Sequence, residues 1–211
     1  VFEYSQGVAK AGYYHSTPAG TFMRAQFPAQ DDDQGIGWWL HFARRRLADH
    51  PNIERIVFIN RAVSAATLGG QWDPGGAAYQ AALTDTLAAL AADPQLTFGG
   101  LLWHQGEGNT ADTEAAHQAL LIAMISGLRA AIPGGAQAPF IAGTIFKTWS
   151  TSATEPGVDR ATRNIANYVT NASFVDNSDL SSASSLHFDR APLRTMGARY
   201  ANAADALTQA T

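Results

Sequence analysis

The chain predicts a doubly wound α/β domain, a parallel sheet of about five strands with helices on both faces. Three observations point there. Short apolar runs alternate with longer stretches of helical periodicity, the order expected of β–α–β units. The length of 211 residues suits one such domain and can bury a substantial core. Nothing divides it: residues 1–211 hold no internal repeat, charge block or low-complexity linker.

Taken in order, residues 38–47 predict a helix ahead of the first clear strand. Residues 53–59 are a β-branched run bounded by Pro51-Asn52 and ending at Asn60. Tyr79, Leu83, Leu87 and Leu90 recur at helical spacing, and Pro94 follows the stop. Residues 96–103 predict a second strand. Leu120, Leu121, Met124, Ile125 and Leu128 form another helical stripe, ended by Pro133-Gly134-Gly135. Residues 139–143 and 172–176 predict two further strands. The last helix carries Leu193, Met196, Tyr200 and Leu207 on one face, with Pro192 in its opening turn. A sheet of this kind places its active site in the loops after the C-terminal strand ends.

Composition narrows the function classes. The chain is 46% hydrophobic and 15% charged, ordinary for a globular protein, and its net charge of −4 offers nucleic acid no basic field. The triplet Arg44-Arg45-Arg46 reads as a helix surface. No apolar run reaches the ~18 residues a membrane span needs. With no cysteine there is no disulfide, thiolate metal site or cysteine nucleophile. His15, His50 and His117 lack the spacing of metal ligands, so they read as structural or surface residues. Val1-Phe2-Glu3-Tyr4 has neither a charged nor an apolar leader pattern and no initiating Met, so a processed or truncated product is expected.

The most informative segment follows the second strand. After Trp103 come His104-Gln105-Gly106-Glu107-Gly108-Asn109, which place an imidazole, an amide and a carboxylate at a strand's C-terminal edge. Two glycines let the backbone turn tightly there. A carboxylate in that place can orient and charge-stabilise an imidazole, and an amide can donate to a developing oxyanion. The same residues read equally well as a polar loop whose Glu and Asn cap the next helix.

Trp-His-Gln-Gly-Glu-Gly-Asn resembles the Trp-x-Gln-Gly-Glu-x-Asn/Asp block of SGNH hydrolases, in the sialate O-acetylesterase and carbohydrate esterase family 6 branch. The resemblance implies that Glu107 assists the catalytic histidine and that Gln105 contributes to the oxyanion hole. Ser185-Leu186-His187-Phe188-Asp189, with Met196-Gly197-x-Arg199-Tyr200-Ala201, is similar to the family's closing block, which makes His187 the general base. Many SGNH enzymes carry an Asp three residues before this His, where Ser184 stands here. The orienting acid is then Glu107, with Asp179 and Asp189 as less favoured substitutes. Residues 60–68 match the family's small-residue turn after the first strand, but Ser64-Ala65 replaces the expected Gly-Gly. A backbone donor at Ser64 tolerates this if φ stays negative and fails if a positive φ is required.

The family's nucleophile belongs to a Gly-x-Ser block after the very first strand, and no such block occurs. The opening residues and Gln34-Gly35-Ile36-Gly37 look like the stretch downstream of it. A preceding segment of the same protein is therefore expected to complete the sheet, and Ser5 leads as nucleophile only if residues 1–7 themselves take the central strand position.

The function expected from the resemblance is a carbohydrate O-acetylesterase acting through an acyl-enzyme on an acetylated glycan or other small ester, without metal or organic cofactor. The alternative is a catalytically degenerate glycan-binding module of a larger assembly, such as a phage or cell-surface particle. A third reading, a lipase-like enzyme, needs an apolar acyl groove that Trp38, Trp39, Trp72 and Trp149 could line.

Overall fold

The computed structural model describes residues 2–4, 22–24, 37–145, 156–181, 188 and 190–209. Its larger sheet joins β4 (Leu101–His104), β5 (Phe140–Gly143) and β6 (Ala172–Val175) in that order, all parallel. Leu101 pairs with Phe140 and His104 with Gly143, so the strands end level at the site. A smaller sheet sets β1 (Phe2–Tyr4) between β2 (Phe22–Arg24), antiparallel to it, and β3 (Val57–Phe58), parallel to it.

Five α-helices, α1 (Trp38–Asp49), α2 (Ala77–Ala92), α3 (Glu114–Ala131), α4 (Gly157–Arg163) and α5 (Arg190–Gln209), and two 3-10 turns, Glu107–Asn109 and Ile165–Asn167, complete the described structure. The alternation of side chains along β5 shows how they cover both faces. Phe140 and Ala142 enter a core with Leu121, Met124, Ile125 and Leu128 of α3, whereas Ile141 enters one with Met196 and Tyr200 of α5 and Phe42 of α1. Every residue of β5 is buried. A fully apolar run buried on both faces is what a central parallel strand requires. The doubly wound α/β class is thus the fold observed, with the strands divided between two sheets. Of the run 53–59 only two residues pair, with β1, and among the described residues no ladder joins β3 to β4.

Helices α1, α2, α3 and α5 follow their sequence signals with one shift of face, and α4 was not among the helices read from the sequence. In α3, Thr113 accepts from the Ala116 N–H at 3.2 Å as N-cap, and Glu114 lies in the positive first turn. In α2 the buried side chains are Ala78, Tyr79, Thr86 and Ala89, while Leu87 is exposed. Leu83 and Leu90 are only partly buried against the core, so the leucine stripe is turned partly outward. Between α1 and α5 the contact is tight because Gly197 has no side chain; a Cβ there would sit 2.5 Å from the Trp38 carbonyl. The arginine triplet lies on α1 as expected of a helix surface: Arg45 pairs with Asp49, and Arg46 with Asp205 of α5.

Candidate active site

The candidate site forms where β4 ends. Trp103, the last apolar residue of the strand, is buried edge-to-face against Trp72, and its carbonyl accepts from the Tyr200 hydroxyl at 2.6 Å. Tyr200 is fully buried, and burial, with the nearby Glu107 charge, holds its hydroxyl pKa well above the usual value. It acts as a neutral donor that locks the strand end to α5. Trp38 stacks on the Tyr200 ring at 4.1 Å. Trp39 and Trp72 are buried in the interior, which removes them from an acyl groove, while Trp38 is half-buried on the Tyr200 ring. Trp149 lies outside the described residues.

The chain then turns through Gly106 and Gly108. The reason for glycine is room more than backbone angle: φ at Gly106 is 163°, close to extended. A Cβ on Gly106 would meet Val158 at 2.6 Å, and one on Gly108 would meet the Ala66 carbonyl at 2.8 Å. Glu107 opens a short 3-10 turn, Glu107–Asn109. One of its carboxylate oxygens accepts from the Gly106 N–H at 3.1 Å, and the other lies 3.9 Å from His104 Nε2. That geometry leaves an anchored, part-exposed carboxylate at the strand's C-terminal edge.

The turn after β3 is pinned to this loop. Gln105 Nε2 donates to the Ala66 carbonyl at 2.9 Å and to Asn109 Oδ1 at 2.8 Å. Both amide hydrogens of Gln105 are thereby engaged, so donation to an oxyanion requires the Ala66 contact to be exchanged. Ser64 and Ala65 are the exposed middle residues of the 63–66 turn, closed by the Ala66 N–H on the Val63 carbonyl at 3.3 Å. Ala65 has φ +55°, in the left-handed region, whereas Ser64 does not. A positive φ at the third residue of a turn is a glycine position, and an alanine there costs about 1–2 kcal/mol. The left-handed φ of this turn therefore falls on Ala65 and not on Ser64.

His187, Ser5, Ser184 and Asp189 lie outside the described residues. Phe188, directly after His187, is described, and its ring centre stands 5.6 Å from that of His104. Phe188 thus stands beside the end of β4. Asp179, a substitute acid, is held by Arg199 through two bonds of 2.6 Å, which lower its pKa. An acid so engaged is poorly placed to serve a histidine. Among the described residues no group of three or more His, Cys, Asp or Glu side chains could hold a metal ion.

His104 stands where the sequence reading set an imidazole beside a carboxylate, and His117, read as structural or surface, is structural. His104 supplies the imidazole facing Glu107. His117 is fully buried, with Nδ1 3.1 Å from Asp112 Oδ2. Burial lowers its pKa, opposed by the Asp112 hydrogen bond and charge. The apolar stripe of α3 carried one step back, from Leu121 to position 117, points at this residue.

A parallel sheet with helices on both faces, a Gln-Gly-Glu loop at a strand's C-terminal edge and the 63–66 turn pinned to that loop are the arrangement that the resemblance to an esterase family implied. The comparisons agree. A sequence model of the family "Carbohydrate esterase, sialic acid-specific acetylesterase" matches residues 12–206, and the chain belongs to that family. A structure of an Arabidopsis thaliana protein is similar, at 16% identity and TM-score 0.67, over 84% of this chain and 71% of that one. NanS is similar at 21% identity and TM-score 0.66, over 84% of this chain and 72% of that one. These two likenesses concern the fold. No curated protein matches the chain.

Proposed function

We propose that the protein is a carbohydrate O-acetylesterase that removes acetyl groups from sugar hydroxyls through a serine acyl-enzyme. The observation that carries this reading is the meeting of three segments at the end of β4. The anchored Glu107 carboxylate, the 63–66 turn pinned by Gln105, and Phe188 against His104 share one strand edge. In this reading His187 takes the proton of the attacking serine and returns it to the leaving sugar alcohol. Glu107 orients His187 and balances the imidazolium charge. Backbone N–H groups of the turn, Ser64 among them, stabilise the oxyanion, with Gln105 joining them once it releases Ala66.

The nucleophile has two sources in this proposal. Ser5 follows β1, which takes the middle place of the smaller sheet. The other source is a serine in a segment of the same protein ahead of Val1. Labelling the mature protein with a fluorophosphonate and mapping the modified peptide separates them. Release of acetate from an O-acetylated sugar, with a single labelled serine, supports the esterase. A folded protein that binds the glycan but neither labels nor releases acetate is the degenerate glycan-binding module instead.

A further inference from the structure

We infer that Asn109, Asp112 and His117 form a positioning relay of fixed polarity, buried at Asn109 and His117 and part-exposed at Asp112, that holds the donor turn of residues 63–66 against the β4 loop. The bonds run in one direction. The Leu68 N–H donates to Asn109 Oδ1 at 2.9 Å, and Gln105 Nε2 donates to the same oxygen at 2.8 Å. Asn109 Nδ2 donates to Asp112 Oδ2 at 2.9 Å, and His117 Nδ1 stands 3.1 Å from that same carboxylate oxygen.

Each assignment follows from the next. Two donors converge on one side of Asn109, so that side is its oxygen; a carboxylate faces the other side, so that side is its nitrogen. Asp112 Oδ2 accepts from Asn109, and it accepts from His117 as well only if the imidazole proton sits on Nδ1. The far ring nitrogen, Nε2, is then a bare acceptor. It is buried with no partner among the described residues, and an unmet acceptor there is less costly than an unmet N–H. An aspartate at position 109, which the family block also admits, would set two carboxylates against each other at this spacing. The Asp112–His117 pair thus selects Asn.

The catalytic half of this inference rests on the acyl-transfer reading, because it is the oxyanion donors that the relay positions. Asn109, Asp112 and His117 touch no reacting atom in it. Their loss should lower kcat more than it raises KM, as displaced transition-state donors do.

The test reverses the polarity. Asn109→Asp should lower kcat by about 10- to 100-fold with little change in KM, the scale of a small displacement at a reacting centre. In Asn109→Asp/Asp112→Asn the two hydrogens of the new amide can donate to the carboxylate now at position 109 and to His117 Nδ1. That moves the imidazole proton to Nε2. The double variant should recover kcat to within about fivefold of the unmodified protein while being less stable than it, because the Nε2–H it creates is buried without a partner among the described residues. Nitrogen-15 NMR should show His117 as the Nδ1–H tautomer in the unmodified protein and the Nε2–H tautomer in the double variant. A folded double variant no more active than the single one overturns the inference, as does an Nε2–H tautomer in the unmodified protein. If Asn109→Asp does not fold, the tautomer of the unmodified protein decides. If that protein hydrolyses no ester, the acyl-transfer reading fails while the NMR result still judges the relay.

Discussion

The two sheets are built differently, and the contrast explains how the site is assembled. In the β4–β5–β6 sheet each strand has four residues, and the middle one is buried throughout. In the β2–β1–β3 sheet the strands have three, three and two residues, and both residues of β3 are half-buried. The thicker sheet fixes Glu107, which stands one short loop beyond β4. The thinner sheet carries the turn with Ser64. Short strands position a turn weakly, so the turn borrows its placement from the other side, through Gln105 and Asn109.

The largest expected effect tests that contrast directly. Phe140→Ala in β5 removes a fully buried ring and should cost about 3–5 kcal/mol in urea unfolding, against about 1 kcal/mol for Val57→Ala in β3. Equal losses would erase the distinction between the sheets. Next comes Arg129, whose guanidinium donates to the carbonyls of Ala138 at 2.6 Å, Thr170 at 2.9 Å and Asn171 at 3.1 Å, tying α3 to the starts of β5 and β6. Arg129→Ala strands those carbonyls and should cost about 2–3 kcal/mol by the same measurement.

The third prediction concerns pH. The His117 pKa is lowered in the folded protein, so below about pH 6.5 the unfolded chain takes up a proton that the folded one refuses. Its contribution is intact above that pH and is lost as pH falls. Urea midpoints measured from about pH 7.5 to 5 should therefore drop more steeply for the unmodified protein than for His117→Gln. Parallel profiles would contradict this. A smaller gain is expected from Ala65→Gly, which relieves the left-handed alanine and should stabilise by about 0.5–1 kcal/mol after the added freedom of the unfolded chain.

The smallest effect belongs to the outer edge. Arg163 holds Asp176 through bonds of 2.8 and 2.9 Å, which keep that carboxyl well below its ordinary pKa. This contribution is present above the ordinary carboxylate range and is lost as pH falls through it. Because the pair is largely exposed, Arg163→Met should cost no more than about 1 kcal/mol.

How far these features were legible in the sequence follows from the range of the forces involved. Apolar runs and helical stripes are local, and they located β4, β5, β6, α1, α3 and α5. The Gln-Gly-Glu block was legible as a motif, including its place after a strand. Pairing between strands is not local, so nothing in residues 53–59 told that only two of them would join a ladder. Nor does a sequence show that both Gln105 hydrogens are engaged, since Ala66 is distant in the chain. The relay through His117 was hidden for the same reason, although the stripe of α3 ran through it.

The central claim, that His187 and Glu107 work as base and orienting acid of an acetyl esterase, is tested most directly by steady-state hydrolysis of p-nitrophenyl acetate. The account predicts turnover by the unmodified protein, a loss of at least about 10³-fold in His187→Ala, and a smaller but clear loss in Glu107→Gln, each with the fold intact. Turnover that survives His187→Ala unchanged, or a folded protein with no turnover at all, would contradict it.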